Sequence, residues 1–340
     1  MYRKDKSIQM KSSASALYNN LSVLPISDKS LTYFTVVHGN TVNMVSASTD
    51  GLNFSHRQLQ SKEGSVALSS SLITQALFCH SPLLSSLFCH SPLLSSPLQM
   101  YESDGSIMVY WHALDALETP QAQAVFARGI APAGGRYICV GTSSGLVLVF
   151  DVPVKGTNIT LAEVLAEHRD AITDIASETC GGGQNRAADL VTADDSGLLC
   201  VWKSGEDLRL VSKISAYGVT CSSVKLWDGV IAAAYGTGQI RVYDAATGSV
   251  CAELDAHARW IYSLDVAPET GRLLSGSEDS FVQIWQLSRC AESGSIEVEH
   301  RHSECVTDTQ ICGGRFCDPQ GSSFAVTGYD LSEIIRYVQI

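Results

Sequence analysis

Charge is scarce in this 340-residue chain, and basic charge scarcest: Asp, Glu, Lys and Arg make up 17% of it, with 23 Lys and Arg against 35 Asp and Glu. With 45% hydrophobic residues, so little charge excludes a chain held open by self-repulsion. The formal net charge of −12 excludes a general grip on nucleic acid, which needs a basic surface to displace phosphate counterions. Long apolar runs are missing, so no stretch reads as a bilayer span, and Ser12 to Asn20 is too polar for the core of a secretory signal. Without that route the sequons at Asn20, Asn53 and Asn158 are expected to be chance matches. The 11 cysteines, an odd number, read as thiols of a reducing compartment, and the expected location is cytoplasmic. Arg3, Lys4, Lys6 and Lys11 form one basic cluster, enough for at most a peripheral contact with an anionic bilayer.

What is present is a rhythm of short strands. His257 to Leu287 holds three strand-like runs, Ile261 to Ala267, Arg272 to Ser277 and Phe281 to Leu287, separated by Pro-Glu-Thr-Gly and by a Ser-Glu-Asp-Ser turn. The order His, strand, turn, strand ending Ser-Gly-Ser, Asp turn, strand ending Trp resembles the WD40 repeat, in which four strands make one radial blade of a β-propeller. The resemblance implies a buried hydrogen-bond chain of His257, Ser275, Asp279 and Trp285. The indole N–H needs an acceptor, the Ser hydroxyl can supply it while donating to the imidazole, and Asp fixes the tautomer. Ser, His and Asp together also suggest a hydrolytic triad, but a triad needs a free nucleophile beside an oxyanion site, and these side chains would be locked between strands under Trp285.

Residues 1–16 read as a flexible N-terminal arm and 17–340 as a single all-β domain. Leu17 to Ile26 is the expected closing strand, added to a last blade whose own third strand, Glu333 to Gln339, nearly ends the chain. Leu31 to Ser48 reads as two strands around His38-Gly39-Asn40. Residues 77 to 96 are a tandem decapeptide, Leu-Phe-Cys-His-Ser-Pro-Leu-Leu-Ser-Ser twice, followed by Pro97. Pro82 and Pro92 each remove a ladder donor, so the blade around 76–98 is expected to be irregular, interrupted by a low-complexity insert. Cys79-His80 and Cys89-His90 match no zinc spacing.

From Met100 the repeat resumes, with Ser106 to Trp111 as a third strand and Ala122 to Arg128 as a fourth. Terminal aromatics follow at Tyr110, Phe150, Trp202, Tyr243, Trp285 and Tyr337, at intervals of 40, 52, 41, 42 and 52 residues. These six repeats and one before them predict seven blades. His168, Thr192 and Trp202 form a partial tetrad in which Ser196 stands where the turn Asp belongs. Trp227-Asp228, the only literal Trp-Asp pair, precedes a second strand instead of ending a third. Ile296 to His302 is a charged fourth strand, and His302 is expected to open the last repeat.

The resemblance implies a protein-interaction scaffold that takes other proteins or peptides as partners, with no cofactor, no metal and no catalysis, in intracellular signalling. Its loops before the first strand and after the second gather around the mouth of the central channel. By position these expose Arg169, Asp170, Asp194, Arg259, Trp260 and Glu278, with Trp260 the natural anchor. A metal-dependent hydrolase would need convergent ligands, and the densest cluster, Glu299, His300, His302 and Glu304, alternates faces on a strand. A ubiquitin-ligase substrate receptor would carry Trp-Asp-x-Arg at a blade end. Trp202-Lys203 and Trp285-Gln286 lack the Asp, and Tyr243-Asp244-Ala245-Ala246 lacks the Arg. Self-association is expected if the irregular blade leaves strand edges unpaired.

Overall fold

A computed structural model describes residues 1–340 except 49–52, 61, 64–65, 68–71, 82–83, 91–96, 115–125, 154–157, 179–187 and 291–293. The described strands form six four-stranded antiparallel sheets, one five-stranded sheet and a two-stranded hairpin of Lys62–Glu63 with Val66–Ala67. Blades 1 to 6 cover residues 22–60, 75–113, 127–165, 172–214, 221–255 and 261–305; blade 7 combines 311–339 with strands from the N-terminus. Each inner strand packs on those of its two neighbours, from Ser22–Ile26 through Gln75–Ser81 and onward to Ile311–Phe316, which returns to the first. The ring is closed, and it is the expected seven-bladed propeller.

Neighbouring blades fit because the second strand carries a small residue where the next blade inserts a large one. Gly141 in Tyr137–Thr142 faces Ile172, and Gly276 in Arg272–Ser277 faces Ile311. A methyl group on Gly276 would lie 2.7 Å from Ile311 Cγ2, and one on Gly141 would overlap Ile172 outright. The Ser-Gly-Ser ending of the repeat is therefore a packing requirement between blades.

Blade 6 has strands Ile261–Ala267, Arg272–Ser277, Phe281–Arg289 and Ile296–Cys305. Its outer strand is longer than expected and absorbs His302, whose Nε2 lies 3.3 Å from Glu304. His302 thus does not open the last repeat. The hairpin of Leu31–His38 and Thr41–Ser48 in blade 1 coincides with the two expected strands.

Three expectations about the first third of the chain are corrected. The tandem decapeptide does supply strands: Gln75–Ser81 and Leu84–His90 pair as a hairpin, with Leu77 opposite Phe88 and Cys79 opposite Ser86. Pro82 and Pro92 fall outside both strands by number and lie outside the described residues, as do the side chains of His80, Cys89 and His90. Because the repeat supplies the first two strands of blade 2, Pro97–Glu102 is its third and Met108–Ala113 its outer strand. Tyr110 is therefore not a terminal aromatic of a third strand. The expected fourth strand at Ala122 to Arg128 is in its described part the start of the inner strand Ala127–Ala133 of blade 3. Blade 2 is complete, which removes the unpaired edges from which self-association was argued.

The third correction concerns closure. Residues 1–16 are not a loose arm: Tyr2–Lys4 pairs with the last strand, Tyr2 opposite Gln339 and Lys4 opposite Tyr337, and Ile8–Gln9 pairs with Ile334 and Glu333. Tyr2, Ile8 and Met10 are buried while Arg3, Lys4, Lys6 and Lys11 face solvent. The charged positions hide the apolar ones that dock. Leu17 to Ile26 does not close the ring, because Ser22–Ile26 is the inner strand of blade 1 and pairs with Leu31–Thr35.

Candidate functional site

The polar side chains singled out in blade 6 lie in one line. His257 Nδ1 is 3.1 Å from both carboxylate oxygens of Asp279, and its Nε2 is 2.8 Å from Ser275 Oγ, which accepts the Trp285 indole N–H at 3.3 Å. An ionised carboxylate only accepts, so Nδ1 carries the proton and Ser275 donates to Nε2. The serine is fully committed and has no proton to give up as a nucleophile.

Blade 4 builds the same chain with its acid elsewhere. His168 Nδ1 donates to Asp194 at 2.7 Å, its Nε2 is 2.7 Å from Thr192 Oγ1, and Trp202 donates to that oxygen at 2.9 Å. The acid is Asp194, not Ser196 or Asp195. It sits two residues after Thr192, whereas Asp279 sits four after Ser275, and its second oxygen accepts from Ser196 N and Oγ and Leu198 N. Asp194 is 0% exposed, so it is not part of the exposed face to which its loop position assigned it. Ser196 occupies the expected position and hydrogen-bonds to the carboxylate that took its role.

Both acids are held below the ordinary carboxylate range. Burial alone would raise them, but the hydrogen bonds and charge of His168 and His257, with hydroxyl or backbone N–H donors, outweigh it. A depressed folded value means that the stability these groups contribute is present above the ordinary range near pH ~4 and lost as pH falls through the folded values. The thermal midpoint should therefore be flat above about pH 5 and drop below about pH 4. In Asp194→Asn the acid slope should be shallower; an unchanged slope in a pH series of melting curves would refute the assignment.

Blade 5, between the two, lacks the His and uses aromatics instead. Tyr235 and Tyr243 hydroxyls lie 3.0 Å apart, Tyr217 meets Tyr235 edge to face, and the Arg241 guanidinium covers Tyr217 at 3.5 Å. Trp227, the decoy, ends the inner strand Cys221–Trp227 and donates to Pro268 O.

The channel mouth is occupied by the chain itself. Residues 14–21, between the closing strands and blade 1, cross it. Asn19 donates through its backbone to Tyr262 O and through Nδ2 to Asp174 at 3.0 Å, and accepts from Ser223 Oγ at 3.1 Å. Asn20 bridges Val37 of blade 1 and Cys312 of blade 7. Asn19 has φ 53°, a left-handed conformation that Asn tolerates better than most residues. Tyr18 lies above this plug, stacked on Trp260 at 6.0 Å with 7° between planes, 5.0 Å from Tyr262 and under the Arg128 guanidinium at 5.0 Å. Burial pushes the Tyr18 phenol up to about 12, against the opposing effect of Arg128.

Around this aromatic centre stand the expected face residues. Arg169, Asp170 and Arg259 are exposed, and Arg259 lies a loose 4.0 Å from Glu278. Trp260 is half-buried: it is wedged between Tyr18 and Gly236, where a methyl group would come within 2.8 Å of its ring. The sequence reading missed Tyr18, Arg128 and Tyr262. A Tyr-Asn-Asn triplet with left-handed propensity was the available signal, obscured by reading Leu17 to Ile26 as one strand.

A family model, WDR54, matches residues 1–340. The chain belongs to the WDR54 family. It is 56% identical over 337 residues to WD repeat-containing protein 54 of Mus musculus, covering 99% of each chain. To the Homo sapiens protein of that name it is 55% identical over 340 residues, covering 100% of each. Solved structures share the fold at low identity. A WD40 propeller domain of Doa1 aligns with TM-score 0.66 at 15% identity, over 100% of this chain and 97% of that one. A chain of a mitotic checkpoint complex aligns with TM-score 0.71 at 16% identity, over 98% and 91%.

Other clusters weighed in this WDR54-family chain are engaged within the fold. His300 bonds Gln283 at 2.8 Å and packs edge-on against Trp285. Among the described residues, no three His, Cys, Asp or Glu side chains are grouped as metal ligands. Burial raises the thiols of Cys79, Cys200, Cys312 and Cys317 to about 12, which leaves them poor nucleophiles at neutral pH.

Proposed function

We propose that the protein is a non-catalytic scaffold that captures other proteins or peptides on the mouth face, acting in the cytoplasm in intracellular signalling. The observation that carries this reading is the half-buried aromatic platform of Tyr18, Trp260 and Tyr262, braced by Arg128 and rimmed by Arg169, Asp170, Arg259 and Glu278. Rigid aromatics beside arginines are what interface hot spots are made of, and the plug turns the channel mouth into a continuous surface. WD40 propellers are in general interaction scaffolds, which agrees with imidazoles and hydroxyls committed to structure in blades 4 and 6. Nucleic acid is an unsuitable partner at a net charge of −12. A ubiquitin-ligase receptor role lacks its arginine at Ala246, and Asp244 caps its own turn through Ala246 N and Thr247 N.

Proximity labelling in cells with the double variant Arg259→Glu, Trp260→Ala tests this. The labelled set should lose its strongest partners, while the melting temperature falls by no more than about 5 °C, because truncating a half-buried side chain costs about 1–2 kcal/mol. An unchanged labelled set would refute the face. Insolubility of the double variant would make Trp260 a core residue, and Arg259→Glu alone would then decide.

A further inference from the structure

Beneath the plug the central channel holds a cavity of about 210 Å³ walled by residues from all seven inner strands. Four of them are ionisable at neutral pH: Asp174, Lys225, Asp265 and Arg315. Three have their partners. Asp265 accepts from Arg315 Nη1 at 3.0 Å and Phe316 N at 2.8 Å. Asp174 Oδ2 accepts from Asn19 Nδ2 and Val224 N within 3.0 Å and shares the one Ser223 hydroxyl proton with Asn19 Oδ1, and its Oδ1 accepts from Ile175 N. Arg315 also donates to Leu264 O and Leu21 O.

Lys225 is the exception. It is only 9% exposed, and its closest described acid oxygen, Asp174 Oδ2, is 3.9 Å away, beyond hydrogen-bond reach. Three ammonium protons thus face a cavity that Asp174, Asp265 and Arg315 also line, the rest of its wall mixing Ser22 and Ser177 with the apolar Leu77, Ile130, Pro132 and Phe316. A buried cation without acceptors is costly, and the low-dielectric wall strengthens its attraction for a negative ligand. Each carboxylate oxygen already accepts at least one hydrogen bond from the protein, whereas no hydrogen bond of the Lys225 ammonium to a described acid is within reach.

We infer that this cavity is a binding site for a small oxyanion of phosphate size, held by the Lys225 ammonium with the Arg315 guanidinium on the neighbouring wall. The volume admits such an ion with a few waters, each occupying about 30 Å³. Residues 14–21 seal the near mouth, so entry is from the opposite end of the channel. Burial, then the charge of Arg315, lowers the Lys225 amine to about 8, against the opposing charges of Asp174 and Asp265. Because the anion binds the ammonium form, affinity is constant below that pH and falls about tenfold per unit above it.

The test uses the full chain and inorganic phosphate, with sodium chloride at matched ionic strength as control. Phosphate should raise the melting temperature saturably by a few degrees beyond chloride, and Lys225→Met should abolish the rise. Sulfate, which does not titrate near neutrality, should shift the Lys225 ¹³Cε resonance and move its titration above pH 8. That measurement on the unaltered protein decides if Lys225→Met does not fold. A cavity filled by water alone gives no saturable shift over chloride, an unchanged Lys225 titration, or a shift that survives in Lys225→Met, and any of these overturns the site. None of them bears on the mouth face.

Discussion

Asp194→Ala should lower the thermal midpoint by about 4–7 °C, the cost expected when a buried charge network of roughly 3–5 kcal/mol loses its acceptor. The carboxylate is completely buried, and its removal strands His168 Nδ1, Ser196 N and Leu198 N together. Each orphaned donor costs on the order of 1–3 kcal/mol. Asp279→Ala is the internal comparison. Its partners are equivalent, the His257 imidazole with Ala258 N and Phe281 N, but its side chain is 13% exposed, so water can replace part of what is lost. The larger effect should come from Asp194, although Asp279 stands in the more regular repeat. Calorimetry on the two variants and on Asp194→Asn, which keeps an acceptor for Ser196 and Leu198, should give the order Asp194→Ala, then Asp279→Ala, then Asp194→Asn. A midpoint for Asp194→Ala within about 2 °C of the parent would sink the reading of blade 4.

The second large effect is expected at Asn19→Ala. This residue ties the plug to blades 4, 5 and 6 at once, through Asp174, Ser223 and Tyr262, in a left-handed conformation that costs alanine about 1 kcal/mol more than asparagine. The combined loss of about 2–4 kcal/mol should lower the midpoint by about 3–6 °C. The more telling readout is local. Asn19 and Asn20 donate to Tyr262 O and Cys312 O, and hydrogen exchange at these amides should accelerate well beyond that of blade 5. If exchange over residues 14–21 is unaltered, stacking of Tyr18 on Trp260 holds the plug, not its polar contacts.

Local order in this chain was readable. The first three strands of blade 6 agree with the reading from Pro/Gly turns and alternating side chains because a hairpin is set by residues within about ten positions of each other. Where two readings competed, charge misled. Arg3, Lys4 and Lys6 made an arm out of residues whose alternate positions, Tyr2 and Ile8, are buried. Proline misled in the same way, since the tandem decapeptide that carries it supplies the strands Gln75–Ser81 and Leu84–His90.

The sequence alone determined the propeller, its seven blades and the His257 chain, since each arises within one repeat. Only the tertiary structure decided which segment closes the ring, which acid serves His168 and what fills the channel. Tyr2 meets Gln339, Asn19 meets Ser223, and Lys225 and Arg315 line one cavity. Those contacts join residues dozens to hundreds of positions apart, and no local period carries them. They follow from ring closure, which brings seven inner strands within reach of one polar segment and leaves the Lys225 ammonium 3.9 Å from its nearest described acid oxygen.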